Sequence, residues 1–385
     1  GSNMAARNSR KLLGSKWKFR RYGESGIEMS ELLPHIGSIA DDITLIRSMQ
    51  TFNSSHGPAI ASINTGRPLR GRPSLGSWLT YGLGTESQDL PAFVVLTAED
   101  GLPLDRDTNW SNGFIPSIYQ GTVVRPREPR ILDLDAPRHL RGPAQLKWLA
   151  FLDEFNREHL QQHPGENDLE ARIASYELAA RMQVAAKDAL DLSNESEKTK
   201  KLYGLDQEET REFGARCLIA RRLVERGVRF VQLHNAYQQW DHHSDIHGRL
   251  PVMCRRTDQP SAALVKDLKS RGLLDTTLVH WGGEMGGLPI IETQKPIGRD
   301  HNPYGFSMWL AGGGVKAGHV HGQTDELGFR AIADPVTHFD YHATLLHLFG
   351  LDHRELLFER STRQERLTDG QPAKIVNGIL KAPVA

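Results

Sequence analysis

Three observations predict an α/β fold, a three-layer α/β/α sandwich around a mainly parallel sheet. Helix and strand signals alternate along the chain, the best-defined strands are apolar almost without interruption, and polar clusters follow those strands directly. Strands apolar on both sides suit a sheet covered by helices on both faces, so Val228 to Leu233 and Thr276 to Trp281 are read as inner strands. With 385 residues the chain can bury one large core of this kind.

Taken in order, Leu32 to Ala40 reads as a short helix, Ile43 to Arg47 as a strand and Pro91 to Leu96 as a second strand. Gly101 to Arg141 is rich in Pro and Arg with weak periodicity, and reads as an excursion over the sheet that could form a substrate-binding rim. Gln145 to Leu160 and Leu169 to Gln183 carry apolar residues at helical spacing on either side of His163-Pro164-Gly165. A helix from Glu208 to Glu225 stops at Gly227 and gives way to the strand Val228 to Leu233. Ser261 to Arg271 is helical, Gly272 ends it, and Thr276 to Trp281 follows as a strand. Phe306 to Leu310 is a further strand running into Gly312-Gly313-Gly314, and Phe339 to Phe349 is the last helix. Residues 1–21 are read as a tag and basic segment. Residues 22–385 form a single domain with the excursion 101–141 and a helical insertion over 145–205.

Lys+Arg and Asp+Glu both number 47, so the net charge is zero and nothing suggests a nucleic-acid partner. The one basic run, Arg7 to Arg21, reads as a solvated tail. No apolar run approaches the roughly 20 residues that span a bilayer. Gly1 to Ala5 reads as an expression scar, with no apolar region of a secretory signal after it. Two cysteines, Cys217 and Cys254, make no disulfide framework, and Cys217 falls in an apolar helical pattern.

In open α/β sheets ligands bind beyond the carboxyl ends of the strands. Strand Val228 to Leu233 leads into His234-Asn235 and then Trp240-Asp241-His242-His243 with His247 close by. Strand Thr276 to Trp281 leads into Gly282-Gly283-Glu284-Met285, and Gly298-Arg299-Asp300-His301 comes soon after. Asp241, His243, Glu284 and His301 supply two carboxylates and two imidazoles, the donors that zinc and similar cations take. His242 and His247 read as solvated, although either could replace His243. Upstream, His56 is followed by Pro58 and, nine residues on, by Thr65-Gly66-Arg67. This resembles the sulfatase signature, in which the first position carries the nucleophile and opens a helix whose N-terminus suits an anion. Sulfatases hold Cys there, converted to formylglycine, and alkaline phosphatases hold Ser or Thr. Here it is His56, with Ser54 and Ser55 as the nearest hydroxyls.

From Lys11 to about Leu380 the chain resembles a bacterial family of sulfatase-like proteins, the domain-of-unknown-function 1501 family. The matching stretches include HGPAIASINTGRP, GRPSLGSWLTYGLG, CLIARRLVERGVRFVQL, GRDHNPYGFSMWLAGGGVKAGHVHGQTDELG and DYHATLLHLFGLDH. The resemblance implies the fold of alkaline phosphatase and its relatives. By position it matches Asp241 and His243 to their middle ligand pair, Glu284 to a later carboxylate and His301 to the final histidine. It implies a divalent metal, zinc first with calcium or manganese as alternatives, and hydrolysis of phosphate or sulfate esters, either small molecules or glycans. His56 would be nucleophile or general base, and Arg299 and Arg67 would stabilise charge on the ester oxygens. It also implies an exported or periplasmic protein. Four departures accompany it. Met285 stands where the related enzymes have a metal-binding His, Gly287 where the family has Arg, and His56 where a hydroxyl or formylglycine attacks. The family's first strand, with Gly-Gly-Pro-Ser-His-x-Asp, has no counterpart here. These departures predict at most one well-held metal, and they keep open a second class of function, a non-catalytic member that binds an anionic ligand or partner.

Overall fold

The computed structural model describes residues 11–132, 134–164 and 166–382. The first half contributes β1 (Ile43–Gln50), α1 (His56–Thr65), α2 (Leu75–Leu83), β2 (Phe93–Leu96), β3 (Thr122–Val124), α3 (Pro143–Gln162) and α4 (Asn167–Leu190). The second contributes α5 (Glu208–Glu225), β4 (Phe230–Leu233), α6 (Ile246–Ser270), β5 (Leu278–Trp281), β6 (Gly286–Gln294) and β7 (Ile297–Asn302). It closes with β8 (Phe306–Gly312), β9 (His319–His321), β10 (Val336–Thr337) and α7 (His338–Leu348).

Local chemistry sets these boundaries. Helix α5 opens on Glu208 and Glu209 and closes on Arg222, charges that complement the helix dipole at each end. Thr337 and Asp340 form a reciprocal capping box that starts α7. Helix α6 is longer than the expected Ser261 to Arg271, because it runs through Pro251 and Pro260 without ending at either.

The expected single, mainly parallel sheet is divided in two. One sheet is mixed, in the order β9-β1-β8-β5 with β10 also on β1. Strands β9 and β10 run parallel to β1, while β8 is antiparallel to both β1 and β5. The other is the parallel trio β3-β2-β4. The antiparallel element arises because β5 and β8 are joined by the hairpin β6–β7 and not by a crossover helix.

Strands β4 and β5, expected to be inner strands, each lie at the end of their own sheet. Their side chains are mostly half-buried, and a cavity of about 1050 Å³ lies against both strands. Leu264 and Leu268 of α6 and Ile60 and Ile63 of α1 also line it. The apolar character that suggested burial within a sheet is directed at this cavity.

Helices cover both faces. Ile43, Trp309 and Ala311 pack on Ala262, Val265 and Leu268 of α6, whereas Ile46, Met49 and Leu310 pack with Tyr341 and Leu345 of α7. Val94 and Leu96 of the parallel sheet pack on Met182 and Ala186 of α4 and Ile219 and Leu223 of α5. Full burial of each such Leu, Ile or Phe stabilises by about 1.5–3 kcal/mol. Within the basic segment, Arg7 and Arg10 lie outside the described residues. The rest is no solvated tail. Leu12 bridges Ile290 of β6, and Phe19–Tyr22 pairs with Ile27–Ser30 as a hairpin. No helix among the described residues is long and apolar enough to cross a membrane.

Leu310→Ala should destabilise the protein by about 2–5 kcal/mol in urea unfolding, because the site is fully buried between two packed layers. Hydrogen exchange should find rapidly exchanging amides in the half-paired strands β4 and β5 and slow ones throughout β1, which is paired on both edges.

Candidate metal centre

Four parts of the chain meet at Asp241. His56 is the first residue of α1, directly after β1. Asp241 and His243 lie in the loop beyond β4, and Glu284 lies just beyond β5. His301 is on β7. His56 bonds Asp241 Oδ2 through Nε2 at 3.0 Å and Glu284 Oε1 through Nδ1 at 2.7 Å, so the loops after β4 and β5 share one rim.

The three imidazoles are held alike. The Nδ1 atom of His56 is bonded to Glu284, that of His243 to Glu292 Oε2 at 2.5 Å, and that of His301 to the Ser54 carbonyl at 2.7 Å. Each Nε2 then turns toward Asp241. His243 Nε2 is 3.1 Å from Asp241 Oδ2, His301 Nε2 is 3.4 Å from Oδ1, and the two Nε2 atoms are 3.0 Å apart. A carboxylate or carbonyl on one ring nitrogen leaves the other with its lone pair directed inward, the usual support of metal-binding histidines. Tetrahedral zinc with bonds of about 2.0–2.1 Å separates its ligands by about 3.3 Å. The contacts of 3.0–3.4 Å at Asp241 therefore fit such an ion, with His56, Asp241, His243 and His301 as donors. A second group, His243, Glu292 and Asp300, shares His243 with the first.

The same contacts shift the ionisation of the cluster. Burial alone would lower the His56 pKa, but its bonds to Asp241 and Glu284 and their charges outweigh this and raise it from 6.5 to about 9. His301 also loses to burial and gains more from Asp241 and the Ser54 carbonyl, ending above its ordinary value. Burial would raise Asp241, but bonds to His301 and His56 hold it well below the usual carboxylate range.

The hairpin β6–β7 grips the loop that carries His243. Arg299 N–H donates to the His242 carbonyl at 3.0 Å, and Thr293 Oγ1 donates to the His243 carbonyl at 2.6 Å. Gly298 comes so close that a Cβ there would sit 1.9 Å from that carbonyl, so only glycine fits.

Several expected roles fall differently. His56 joins the donors, with both ring nitrogens engaged, and is not placed as a free nucleophile. Glu284 stands one bond behind His56 and outside the four-donor group. Arg67 pairs with Asp369 at 2.8 Å. The Arg299 guanidinium donates to the Leu288 and Leu13 carbonyls, both at 2.7 Å. Neither arginine therefore aims its charge at the centre. His242, expected in solvent, is buried, and that burial lowers its pKa. His247 is half-buried and meets the ring of Trp17 edge-on. Ser54 contributes its carbonyl. Gly287 lies opposite His301 in the hairpin. Glu292 was not legible in the sequence. Its only signal is a lone carboxylate ending the apolar run Leu288-Pro289-Ile290-Ile291.

The description "protein of unknown function (DUF1501)" matches residues 1–380. No curated protein matches the chain. Among solved structures, one that resembles it is Ps i-CgsB in complex with k-i-k-neocarrahexaose. It is 11% identical with a TM-score of 0.40, over 83% of this chain and 67% of that one. Another is the phosphonate monoester hydrolase SpPMH from Silicibacter pomeroyi, 12% identical with a TM-score of 0.34, over 83% of this chain and 68% of that one.

Three outcomes follow from this geometry. After chelation, the stabilisation from His56 should be fully present below pH 6.5 and be lost as pH rises through about 9, because the folded-state pKa is raised. Urea unfolding of the protein and of His56→Gln at pH 6 and pH 10 measures this, and the gap between them should shrink at pH 10. Zinc affinity, read by competition with a chromophoric chelator, should rise about tenfold per pH unit between pH 7 and 9 for the proton it displaces. Glu292→Ala should weaken zinc by about 10–100-fold without unfolding the chain.

Proposed function

We propose, on the premise that this chain belongs to the DUF1501 family, that it is a metal-dependent hydrolase of phosphate or sulfate esters. The observation that carries the reading is the convergence of three imidazole Nε2 atoms on Asp241 with every Nδ1 anchored from behind. His56, Asp241, His243 and His301 would hold one divalent cation. Three nitrogen donors favour zinc over manganese and calcium, which prefer oxygen ligands. Because these four donors would fill a tetrahedral shell, an ester oxygen or water would have to bind as a fifth ligand to be polarised by the ion's Lewis acidity.

The protein's own part is positional. Glu284, Glu292 and the Ser54 carbonyl fix the ring orientations and hold the outer proton of each ring on Nδ1, so that Nε2 is the atom free to exchange its proton for the cation. Asp241 offsets the cation's charge. Because both nitrogens of His56 are engaged, water is the better nucleophile in this reading, and the cation provides the positive charge that Arg67 and Arg299 do not. The resemblance to alkaline phosphatase relatives supports an anionic ester, either a small molecule or a glycan. The commitment of those two arginines elsewhere favours a second reading, a metal-binding protein without turnover.

The test is a chelated sample reloaded with zinc, manganese or calcium and offered aryl sulfate, phosphate and phosphonate esters. The expected result is about one zinc per chain, hydrolysis of at least one ester that chelation abolishes, and lower metal content in His243→Ala and His301→Ala. Tight zinc binding with no turnover of any ester would favour the second reading. No metal binding at all would exclude both.

A further inference from the structure

Helix α3 stands apart from the core. No residue of its twenty is buried. One side rests on α4, with Leu149, Leu152 and Leu160 half-buried. The other side exposes Trp148 at 49%, Phe151 at 55% and Phe155 at 59%, with Leu146 at 70% on the same helix. Trp148, Phe151 and Phe155 form one row, with ring centroids 5.9 Å and 6.3 Å apart along it. Isolated exposed apolar residues are ordinary, but a continuous aromatic row marks an interaction surface. No described residue covers it.

The charges beside the row select the partner. Lys147, Glu154 and Glu158 recur at helical spacing along one flank of the row, positive near the helix start and negative toward its end. None of the three makes an ion pair among the described residues, whereas Arg157 is taken by Asp153 on the far side of the helix. When two helices pair antiparallel about a twofold axis, each flank meets the same flank of its mate. With the axis near Phe151, Trp148 of each copy faces Phe155 of the other, and Lys147 of each lies beside Glu154 and Glu158 of the other. A parallel pair would set this flank against the opposite flank of the mate, which carries Gln145, Leu152 and His159 and offers Lys147 no carboxylate.

We propose that α3 is a self-association surface, and that two copies of this chain pair through it antiparallel to form a twofold dimer. The aromatic row supplies the buried centre and the flank supplies the register, as charges at the edges of a helix seam do in coiled coils. One helix pair makes a small interface, so the dimer is reversible with a dissociation constant on the order of micromolar.

Sedimentation equilibrium of the full chain tests it. The expected mass rises from 43.1 kDa toward twice that value across the micromolar range. Phe151→Glu should weaken the dimer at least about thirtyfold. Lys147→Glu should weaken it about tenfold, and adding Glu154→Lys and Glu158→Lys to the same chain should restore it. Because α3 buries no residue, these variants should keep the circular dichroism and melting temperature of the parent, which separates lost pairing from lost folding. A monomer at every concentration, a dimer indifferent to Phe151→Glu, or a charge reversal that fails to restore pairing would overturn the proposal. So would binding of α3 to vesicles of anionic lipid in place of self-association.

Discussion

Asp241 must face three imidazole nitrogens that arrive from three separate stretches of chain, and that requirement organises everything around it. Carboxylates and ring nitrogens this close are tolerable only if each ring is turned by a partner behind it and charges alternate outward. The protein meets the condition with Glu284, Glu292 and one main-chain carbonyl. Removing any of these lets a ring rotate and leaves Asp241 with an unbalanced, half-buried charge, which is costly in a low dielectric.

The scaffold supplies this geometry through strand direction. β1 and β5 run the same way because β8 is antiparallel to both, and β1, β4 and β5 all deliver their carboxyl ends to one rim. The division between the two sheets leaves that rim intact. The group is held by loops tied across the division, with His56 bonded on one side to the loop after β4 and on the other to the loop after β5. The centre is thus also a link between the sheets, so its occupation and the stability of the fold are coupled.

Much of this was legible from local pattern. Helix α5 matches its predicted bounds because its end charges and the glycine stop at Gly227 all lie within the local sequence. Asp241, His243 and Glu284 can be singled out because each follows a strand, and His56 because Pro58, Thr65 and Gly66 stand in register with it. What escaped the sequence was long-range. The single sheet divided because strand partners are chosen across the whole chain, and nothing in Val228 to Leu233 reports that its second edge is unpaired. Arg67 and Arg299 carry the right charge for an ester, yet their partners at 369 and 288 are fixed only in three dimensions. Glu292 has no motif because its function belongs to a hairpin that shows no clean alternation.

The fit of Gly298 against the His243 carbonyl has an evolutionary consequence. His243 and His301 sit on different segments, yet one missing methyl group lets those segments touch. Position 298 has no room for a side chain. A lineage that acquired even alanine there would have to move one histidine-bearing segment off the other, so the two residues are inherited as a single unit whose indispensable part has no side chain.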